Sequence, residues 1–331
     1  MDKQYFFIGI DVSKKELVVA VDGRKTTTFK NTKRGVASLH KFAAKLAGSL
    51  VPWFVMESSG VYSSVPAIRL YEKHNALVSI INPGRIKAHA RAIGFRSKTD
   101  SQDAQVILDY AQKTKLHQWK PAPLALRILR QYIDQIRAFK KIIVMTENRM
   151  EAHDFEGVEK EITKSDNAII RFFERQIAKL EMSIKTLVTD DEQLDQQITL
   201  LKTIPGIALA SACKIMAYTR GEITKRSAKQ LTAFAGLAPA HRQSGTSLHG
   251  QSRIDKQGCA PLRSTLYMCA LSAATHNPEL SPLYERLITR KDRPLAKKQA
   301  QVAVMRKLLL IARAVLISGK PFDRNYHAAA A

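Results

Sequence analysis

Apolar and polar positions alternate along the first 120 residues in the pattern of a mixed α/β domain. Three apolar runs, two of them joined by the hairpin signal Asp22-Gly23, predict strands over 5–10, 16–21 and 25–30. Helical and strand periods then alternate, predicting helices over 33–47, 58–74, from 83 onward and over 101–114, with strands over 53–56 and 77–81. Ser58 or Ser59 is predicted to cap the second helix. Three antiparallel strands followed by alternating helices and strands is the order of a ribonuclease-H-like α/β fold.

From Leu126 onward the apolar spacing becomes heptad-like, and after a polar stretch it resumes in a second run. Lys140 interrupts the first run, because it occupies an apolar slot between Ile136 and Ile143. The pattern predicts two long helices over 121–200 that fold back as an antiparallel hairpin. Either the other arm or a second protomer must cover the apolar seam, and we expect the second protomer.

Helical periods dominate the rest of the chain, with helices predicted over 228–235, 261–276 and 296–317. Residues 200–216, LLKTIPGIALASACKIM, have the form of a helix-hairpin-helix element, whose turn at Gly206 would aim backbone amides at a phosphate. Ala208 stands where such elements have a second glycine, so an ordinary helix-turn-helix pair is the alternative. We predict a polar surface loop over 241–258 and an unstructured tail after 322.

Positive charge is segregated along the chain of 331 residues, whose formal net charge is +24. Residues 1–120 carry 20 basic and 9 acidic side chains, residues 121–200 carry 12 and 14, and residues 201–331 carry 21 and 6. Two basic lobes therefore flank a nearly neutral middle. This segregation predicts a polyanionic partner, with nucleic acid the leading candidate, and charge that serves solubility alone is the alternative.

Cysteine usage and hydropathy narrow the class further. Cys213, Cys259 and Cys269 show no C-x-x-C spacing, which predicts neither a disulfide framework nor a structural zinc site. No apolar stretch reaches the roughly 18 residues that a membrane span needs, and the first residues lack the apolar core of a signal peptide. We expect a cytoplasmic protein without a membrane partner.

Four acidic residues of the first lobe occupy positions that suggest a metal site. Asp11 and Glu57 end the first and fourth predicted strands, where ligands bind in such sheets, and Asp100 and Asp103 share one face of a helix. Converging carboxylates repel one another, and a hard divalent cation such as Mg²⁺ relieves that repulsion. Each acid also has a structural alternative: Asp100 and Asp103 could form a capping box, and the other two could simply terminate strands.

Several segments together resemble one family, the DEDD transposases of the insertion-sequence one-ten class, which includes the Piv-type pilin-gene invertases and the RNA-guided bridge recombinases. The segments are GIDVSKKEL, FVMESSGVY, INPGRIKAHARAIGFRSKTDSQDA, IPGI, FAGLAPAHRQSGTSLHGQSRIDKQG and LRSTLYMCA. The resemblance implies a RuvC-like (ribonuclease-H-fold) catalytic domain at 1–120, a helical coiled-coil insertion at 121–200, a mainly helical transposase domain at 201–325 and a tail at 326–331.

The resemblance also implies a chemistry. Its acids fall on Asp11, Glu57, Asp100 and Asp103, which would bind two Mg²⁺ ions, with Mn²⁺ able to substitute, and its nucleophilic serine falls on Ser244. The serine hydroxyl would attack a DNA phosphorus and form a phosphoserine intermediate. Similar proteins act on donor and target DNA as dimers or tetramers, with the carboxylates of one protomer facing the serine of another. Many of them are guided by a structured noncoding RNA, and a nucleoid-associated location in a prokaryote follows.

Basic residues near these positions are the candidate nucleic-acid contacts. Besides Gly206, we predict such contacts for Arg96, Lys98, Arg242, Arg253, Lys256 and Arg263. A serine hydroxyl is a weak nucleophile that needs activation, and His241 and His249 are nearby in the sequence. Metal assistance to Ser244 is the more economical hypothesis.

Four alternative functions remain open at the level of sequence. A RuvC-like junction-resolving nuclease would use the same acids with water as the nucleophile. A site-specific DNA invertase would work without an RNA guide. An actin-like kinase or chaperone ATPase also begins with an apolar strand and GID, but it needs glycine-rich phosphate loops that the sequence lacks in the right order. A non-catalytic nucleic-acid-binding protein would explain the charge and leave the acids unexplained.

Overall fold

The computed structural model describes residues 5–95, 99–240, 243–244, 248–249 and 253–323, with the backbone alone at 240, 243–244, 248–249 and 253. The chain divides after Pro121 into two compact units. The predicted boundary near 120 lies at this division, and the predicted boundary at 200 falls inside the second unit. The unstructured tail that the sequence predicts lies largely outside the described residues.

The first unit is a five-stranded sheet with helices on both faces. Its elements are β1 (Tyr5–Val12), β2 (Glu16–Ala20), β3 (Thr27–Lys30), α1 (Lys33–Ala47), β4 (Val51–Glu57), α2 (Val61–His74), β5 (Leu77–Ile81), α3 (Pro83–Ala92) and α4 (Asp100–Lys113). The strand order is β3-β2-β1-β4-β5, with β1, β2 and β3 antiparallel and β4 and β5 parallel to β1. This order agrees with the strands and helices predicted from the sequence, and it fits a RuvC-like domain.

Strand alternation sends apolar side chains to both faces of this sheet, since successive residues point in opposite directions. On one face, Ile10 and Met56 are fully buried in a core that α1 and α2 complete. On the other face, Val55 packs with Ile107 of α4 and Ile86 of α3. The sheet is therefore covered on both sides, as parallel strands require.

Helix α4 lies unusually close to β1, and Gly9 makes that approach possible. A Cβ atom at Gly9 would lie 2.8 Å from the Cβ atom of Leu108 and closer still to the Ala104 carbonyl oxygen and the Leu108 nitrogen. The φ angle of Gly9 is not positive, so its backbone conformation suits any residue. The requirement for glycine is one of space alone.

The start of α2 differs from the prediction. Gly60 is the N-cap residue and provides no side-chain cap. Neither Ser58 nor Ser59 caps the helix; instead the backbone N–H of Ser59 donates to the Ser63 hydroxyl oxygen at 2.9 Å. The prediction of a serine cap at 58 or 59 was wrong because the hydroxyl that binds this turn comes from inside the helix.

The second unit is mainly helical. Its elements are α5 (Leu124–Glu156), α6 (Lys160–Thr189), α7 (Glu192–Lys202), α8 (Leu209–Thr219), α9 (Ala228–Phe234), β6 (Pro239–Ala240), β7 (Gln243–Ser244), β8 (Leu248–His249), β9 (Arg253–Ile254), α10 (Ala260–His276), α11 (Ser281–Thr289) and α12 (Lys297–Ser318). The sequence pattern missed α11, a short helix with no buried residue. It also predicted a loop over 241–258, where the two-residue strands β7, β8 and β9 lie.

Helices α5 and α6 are separated by three residues and pack along each other as a hairpin. The rings of Phe139 and Phe173 lie 5.0 Å apart across it, and Asp166 is buried in an ion pair with Arg149. Buried residues of α5 and α6 belong to the same apolar core as those of α7, α8, α9, α10 and α12. A supercoiled seam and a covering second protomer stay predictions.

The turn between α7 and α8 packs directly on α10. Gly206 has φ of 104°, and a Cβ atom there would lie 2.7 Å from the Cβ atom of Ala273 and 2.9 Å from the Cys269 carbonyl oxygen. The Asn277 amide donates to the Pro205 carbonyl oxygen at 3.1 Å. Glycine at 206 thus has a packing reason, and its predicted contact with nucleic acid stays a prediction.

We predict that Gly9→Ala destabilises the first unit by about 3 kcal/mol, because the added methyl group overlaps backbone atoms that cannot move without shifting α4. The free energy of unfolding, measured by urea titration with a probe in this unit, checks the value. Gly84→Ala in the first turn of α3 is the matched control, because its Cβ atom would meet only the Asn82 Oδ1 atom, at 3.1 Å. Equal stability of the two variants would contradict the prediction.

Candidate active site

The parallel register of β1 and β4 places Asp11 beside Glu57. Ile10 is the Cα partner of Met56, so the next position along each strand carries the acid. Ile10 and Met56 point into the core under α1 and α2, and alternation turns Asp11 and Glu57 to the face that α4 covers. Asp11 lies one residue before the end of β1, and Glu57 is the last residue of β4. Both carboxylates are half-buried.

The first turn of α4 carries the other two acids, Asp100 and Asp103. Thr99 is the N-cap residue, and its hydroxyl oxygen accepts a hydrogen bond from the Gln102 N–H at 3.3 Å. The capping box of Asp100 and Asp103, the structural alternative, is therefore wrong: Thr99 fulfils that role, so helix capping does not explain the two acids.

Two contacts fix where α4 begins. The Thr26 and Ser101 hydroxyl oxygens lie 2.9 Å apart, which links the first turn of α4 to the segment before β3. The close approach at Gly9 holds the helix against β1 one turn later, at Ala104. Gly9 lies two residues before Asp11 on the same face of the strand. The side chain missing at Gly9 therefore allows the acids of α4 to lie near the acids of the sheet.

The pKa of Asp11 shows the effect of the other three acids. Its pKa is raised from the ordinary value of 3.8 to about 6, first by burial, then by the negative charges of Asp100 and Asp103, and least by that of Glu57. The Val12 N–H donates a hydrogen bond to this carboxylate and opposes the rise. A first unit with an excess of 11 positive charges thus holds a local concentration of negative charge.

A nearby acid, Asp109, behaves in the opposite way. Its carboxylate lies 2.7 Å from both the His89 Nε2 atom and the Lys113 Nζ atom, and these partners lower its pKa. Asp109 therefore ties α3 to α4. The neighbours of Asp109 therefore stabilise its negative charge, whereas the charged neighbours of Asp11 destabilise that of Asp11.

The four carboxylates suit a hard divalent cation in their chemistry, because such cations prefer oxygen ligands and relieve repulsion between anions. Within the described part of the chain, however, no three or more Asp, Glu, His or Cys side chains are gathered closely enough to hold a metal ion. A metal ion held by three or more of these carboxylates would require them to lie closer together than they do in this structure.

Ser244 belongs to β7, and its Cα partner across the short ladder is Leu248 of β8. A second ladder pairs Pro239 with Ile254 and Ala240 with Arg253. The predicted polar loop is therefore held by two small antiparallel ladders whose backbone groups bond to one another.

The base of this loop is tightly packed. A Cβ atom at Gly258 would lie 2.5 Å from the Phe234 carbonyl oxygen and 2.7 Å from the Gly236 nitrogen. The Arg263 guanidinium donates to the carbonyl oxygens of Ala235, at 3.1 Å, and Lys256, at 3.2 Å. Arg263 thus holds the two ends of the loop together, and its predicted contact with nucleic acid stays a prediction.

The remaining predicted contacts are placed only in part. Lys256 is exposed and has a left-handed φ of 57°. Arg96, Lys98, Arg242 and His241 lie outside the described residues, and only the backbone of Arg253 and His249 is described. Their roles stay predictions.

Sequence reasoning missed Gly9 and Thr99 as residues that position the site. The signal for Thr99 was available, since a threonine immediately before a helical period is a typical N-cap. For Gly9, the sequence GID shows a small residue shortly before Asp11, but it does not show that α4 is the helix that packs on this residue. Among the described residues, the structure has no helix long and apolar enough to cross a membrane.

Two family models match the chain. One, described as "Transposase IS116/IS110/IS902 family", matches residues 198–285, and the other, a model for DEDD transposases of IS110 described as "Transposase", matches residues 8–153. A DEDD transposase family implies dependence on a divalent metal in general, and DNA as a partner.

Full-length relatives give the same result. The chain is 32% identical over 332 residues to the pilin gene-inverting protein of Moraxella bovis, covering 99% of this chain and 100% of the relative, and it is equally similar to that of Moraxella lacunata. It is also 25% identical over 124 residues to the "Insertion element IS110 uncharacterized 43.6 kDa protein" of Streptomyces coelicolor, covering 38% of this chain and 30% of the relative. With acids on a RuvC-like sheet, two family matches and a relative that aligns from end to end, the chain belongs to the IS110 family of DNA transposases and recombinases.

Proposed function

We propose that the protein cuts and rejoins DNA by transesterification, with Ser244 as the nucleophile and with Asp11, Glu57, Asp100 and Asp103 as the ligands of Mg²⁺, two ions per site. The observation that carries the metal part of the proposal is the register that places Asp11 beside Glu57, with Asp100 and Asp103 on the first turn of α4 near enough for their charges to raise the pKa of Asp11. The match of residues 8–153 to a DEDD transposase family supports the same assignment.

The proposed step exchanges one phosphodiester for another. The Ser244 Oγ atom forms a bond to a DNA phosphorus, the bond from that phosphorus to the leaving deoxyribose oxygen breaks, and the serine proton ends on the leaving oxygen. Attack of a DNA hydroxyl on the phosphoserine reverses these changes and joins a new strand. Because each step replaces one P–O bond by another, strand exchange needs no external energy source.

The residues of this chain would hold the reacting groups in place. Strand register fixes Asp11 beside Glu57, and the capped first turn of α4 fixes Asp100 and Asp103. The paired strands β7 and β8 would present the Ser244 backbone in one conformation. When bound, a divalent metal supplies positive charge that lowers the pKa of an attacking hydroxyl and stabilises a leaving oxygen.

DNA inversion is the form of recombination that the relatives favour. The two relatives that align over their full length are both named pilin gene-inverting proteins, whereas the insertion-element protein aligns over 38% of this chain. A plasmid carrying two recombination sites in inverted orientation tests this form, and a donor plasmid with a separate target tests transposition. Inverted plasmid without insertion into the target would support inversion.

RNA guidance is a separate part of the proposal with its own test, and a site-specific DNA invertase that works without a guide is its alternative. We expect a structured noncoding RNA, encoded beside the gene, to copurify with the protein when both are expressed together. Recombination that is equally fast after ribonuclease treatment and repurification would exclude the guide. A junction-resolving nuclease, the alternative that uses water, would release cut DNA without any covalent adduct.

We predict that Ser244→Ala abolishes the covalent protein–DNA adduct, because no other hydroxyl would occupy the attacking position. The adduct is measured by denaturing gel electrophoresis of a labelled DNA substrate and by mass spectrometry of the modified peptide. Ser247→Ala, in the same polar stretch, is the matched control and should form adduct at a rate within about twofold of wild type. Adduct on the Ser244→Ala protein at the wild-type rate would refute the assignment.

We predict that the metal-free protein becomes less stable as the pH rises through about 6. The folded protein holds the Asp11 proton up to this pH, whereas the unfolded chain releases it near 3.8. The stability from this proton is therefore complete below about pH 4 and is lost above about pH 6. Asp11→Asn should remove this part of the pH dependence, raising Tm at pH 7.5 in EDTA by about 4 °C relative to wild type.

Metal binding gives the complementary measurement. At pH 7.5 Mg²⁺ or Mn²⁺ should raise the Tm of the wild type, and it should have little effect on Asp11→Asn or at pH 5, where the carboxylate is protonated. Asp22→Asn, which changes an exposed carboxylate in the β2–β3 connection, is the control and should respond to metal like the wild type. A metal response that Asp11→Asn retains in full would contradict the assignment of Asp11 as a ligand.

A further inference from the structure

Two lysines of the second unit occupy positions where the pattern calls for apolar residues. Lys140 stands in an apolar slot of the heptad-like run of α5. Lys214 is the one charged residue of α8, a helix in which seven of eleven residues are buried. The proposed transesterification uses neither residue. In the structure Lys140 is exposed and Lys214 is half-buried.

Both lysines line the same cavity, which has a volume of about 430 Å³ and lies between α5, α8 and the start of α10. Ile133, Ile136 and Pro261 provide an apolar wall, and the Ser264 side chain adds a hydroxyl. Volumes of about 300–1,000 Å³ with mostly apolar walls and a few polar groups are typical of ligand sites.

The charge of this cavity is not balanced from within. Arg137, also in its wall, is paired with Asp134 at 3.3 Å, and the Tyr218 hydroxyl donates to the same carboxylate at 3.1 Å. Neither Lys140 nor Lys214 forms a salt bridge with any acidic residue that the structure describes. The pKa of Lys214 is lowered first by burial and then by the positive charge of Lys140, and the more weakly acting negative charge of Glu181 opposes this change.

The start of α10 adds further positive potential. This helix of 17 residues begins at Ala260 on the wall of the cavity, and its N-cap residue, Cys259, makes no side-chain hydrogen bond to the first turn. The N-terminus of a helix carries a partial positive charge and unpaired N–H groups. Two lysines and this helix end therefore converge on one concave, partly apolar space.

We propose that this cavity binds one nucleotide of a nucleic-acid strand, with its phosphate between Lys140, Lys214 and the start of α10. The sugar and base would lie against Ile133, Ile136 and Pro261. An acidic side chain of a partner protein would satisfy the lysines but would leave most of the apolar wall uncovered. The proposal rests on the nucleic-acid chemistry of the family and not on the identity of the nucleophile.

Binding is tested without catalysis, on full-length protein carrying Ser244→Ala in EDTA, so that failure of the proposed nucleophile leaves the result unchanged. The probes are single-stranded DNA and RNA oligonucleotides, thymidine 5′-monophosphate and inorganic phosphate. The added double variant Lys140→Gln, Lys214→Gln should bind oligonucleotide about tenfold more weakly. The salt slope of its affinity should fall by about 0.7, the value for one phosphate contact on a single strand.

Two further variants separate a site from general attraction. Lys185→Gln removes an exposed lysine of α6 outside the cavity, and with it affinity should fall less than twofold. Ser264→Trp fills the cavity without changing its charge and should weaken the monophosphate and the oligonucleotides, but inorganic phosphate much less. Thermal melting confirms that each variant is folded.

Protection of lysines from acetylation, read by mass spectrometry, gives an independent measurement. Bound oligonucleotide should protect Lys140 and Lys214 and leave Lys185 reactive. Protection by DNA alone or by RNA alone identifies which strand supplies the nucleotide. Equal weakening by Lys185→Gln and by the double variant Lys140→Gln, Lys214→Gln, or undiminished oligonucleotide binding by Ser264→Trp, would overturn the proposal.

Discussion

The close packing of α4 on β1 is the constraint on which the candidate active site depends. Two of the four acids belong to the sheet and two to the first turn of α4, so their grouping requires the helix to lie directly on the strand. Gly9 provides the space, because any side chain there would overlap the backbone of α4. The Thr99 cap and the contact between Thr26 and Ser101 then fix where the helix begins. The packing of α4 on β1 therefore also positions the candidate active site.

Placing these acids near one another destabilises the charged form of Asp11. The charged form of Asp11 is destabilised by burial and by the acids of α4. The charged form of Asp109, which lies about two turns after Asp103 on α4, is stabilised by Lys113 and His89. Helix α4 therefore carries an acid committed to structure, Asp109, and packs against a strand that carries an acid whose charge is destabilised, Asp11. A cation would relieve this repulsion, which is why a half-buried acid with acidic neighbours in a basic unit suggests function more strongly than each residue does singly.

The second unit handles charge in a different way. Its helices share one apolar core, and at the edge of that core the exposed Lys140 and the half-buried Lys214 line one cavity beside the start of α10. Nearby, Gly236, Gly258 and Arg263 close the base of the segment that carries Ser244. Rigid packing thus supports both the proposed nucleophile segment and the proposed nucleotide site.

Sequence alone determined the strand and helix order of the first unit, the long helices, the segregation of charge and the acids Asp11, Glu57, Asp100 and Asp103, because periodicity and composition are local properties of the chain. It could not assign the cap of α2, the strands around Ser244 or helix α11, since weak local patterns there yield to backbone pairing and packing. Only the tertiary structure decided that α4 lies on Gly9, that Arg263 binds the carbonyl groups of Ala235 and Lys256 and that Lys140 and Lys214 line one cavity. The physical reason is that these arrangements depend on how separate elements pack, and no local pattern in the sequence records which elements meet.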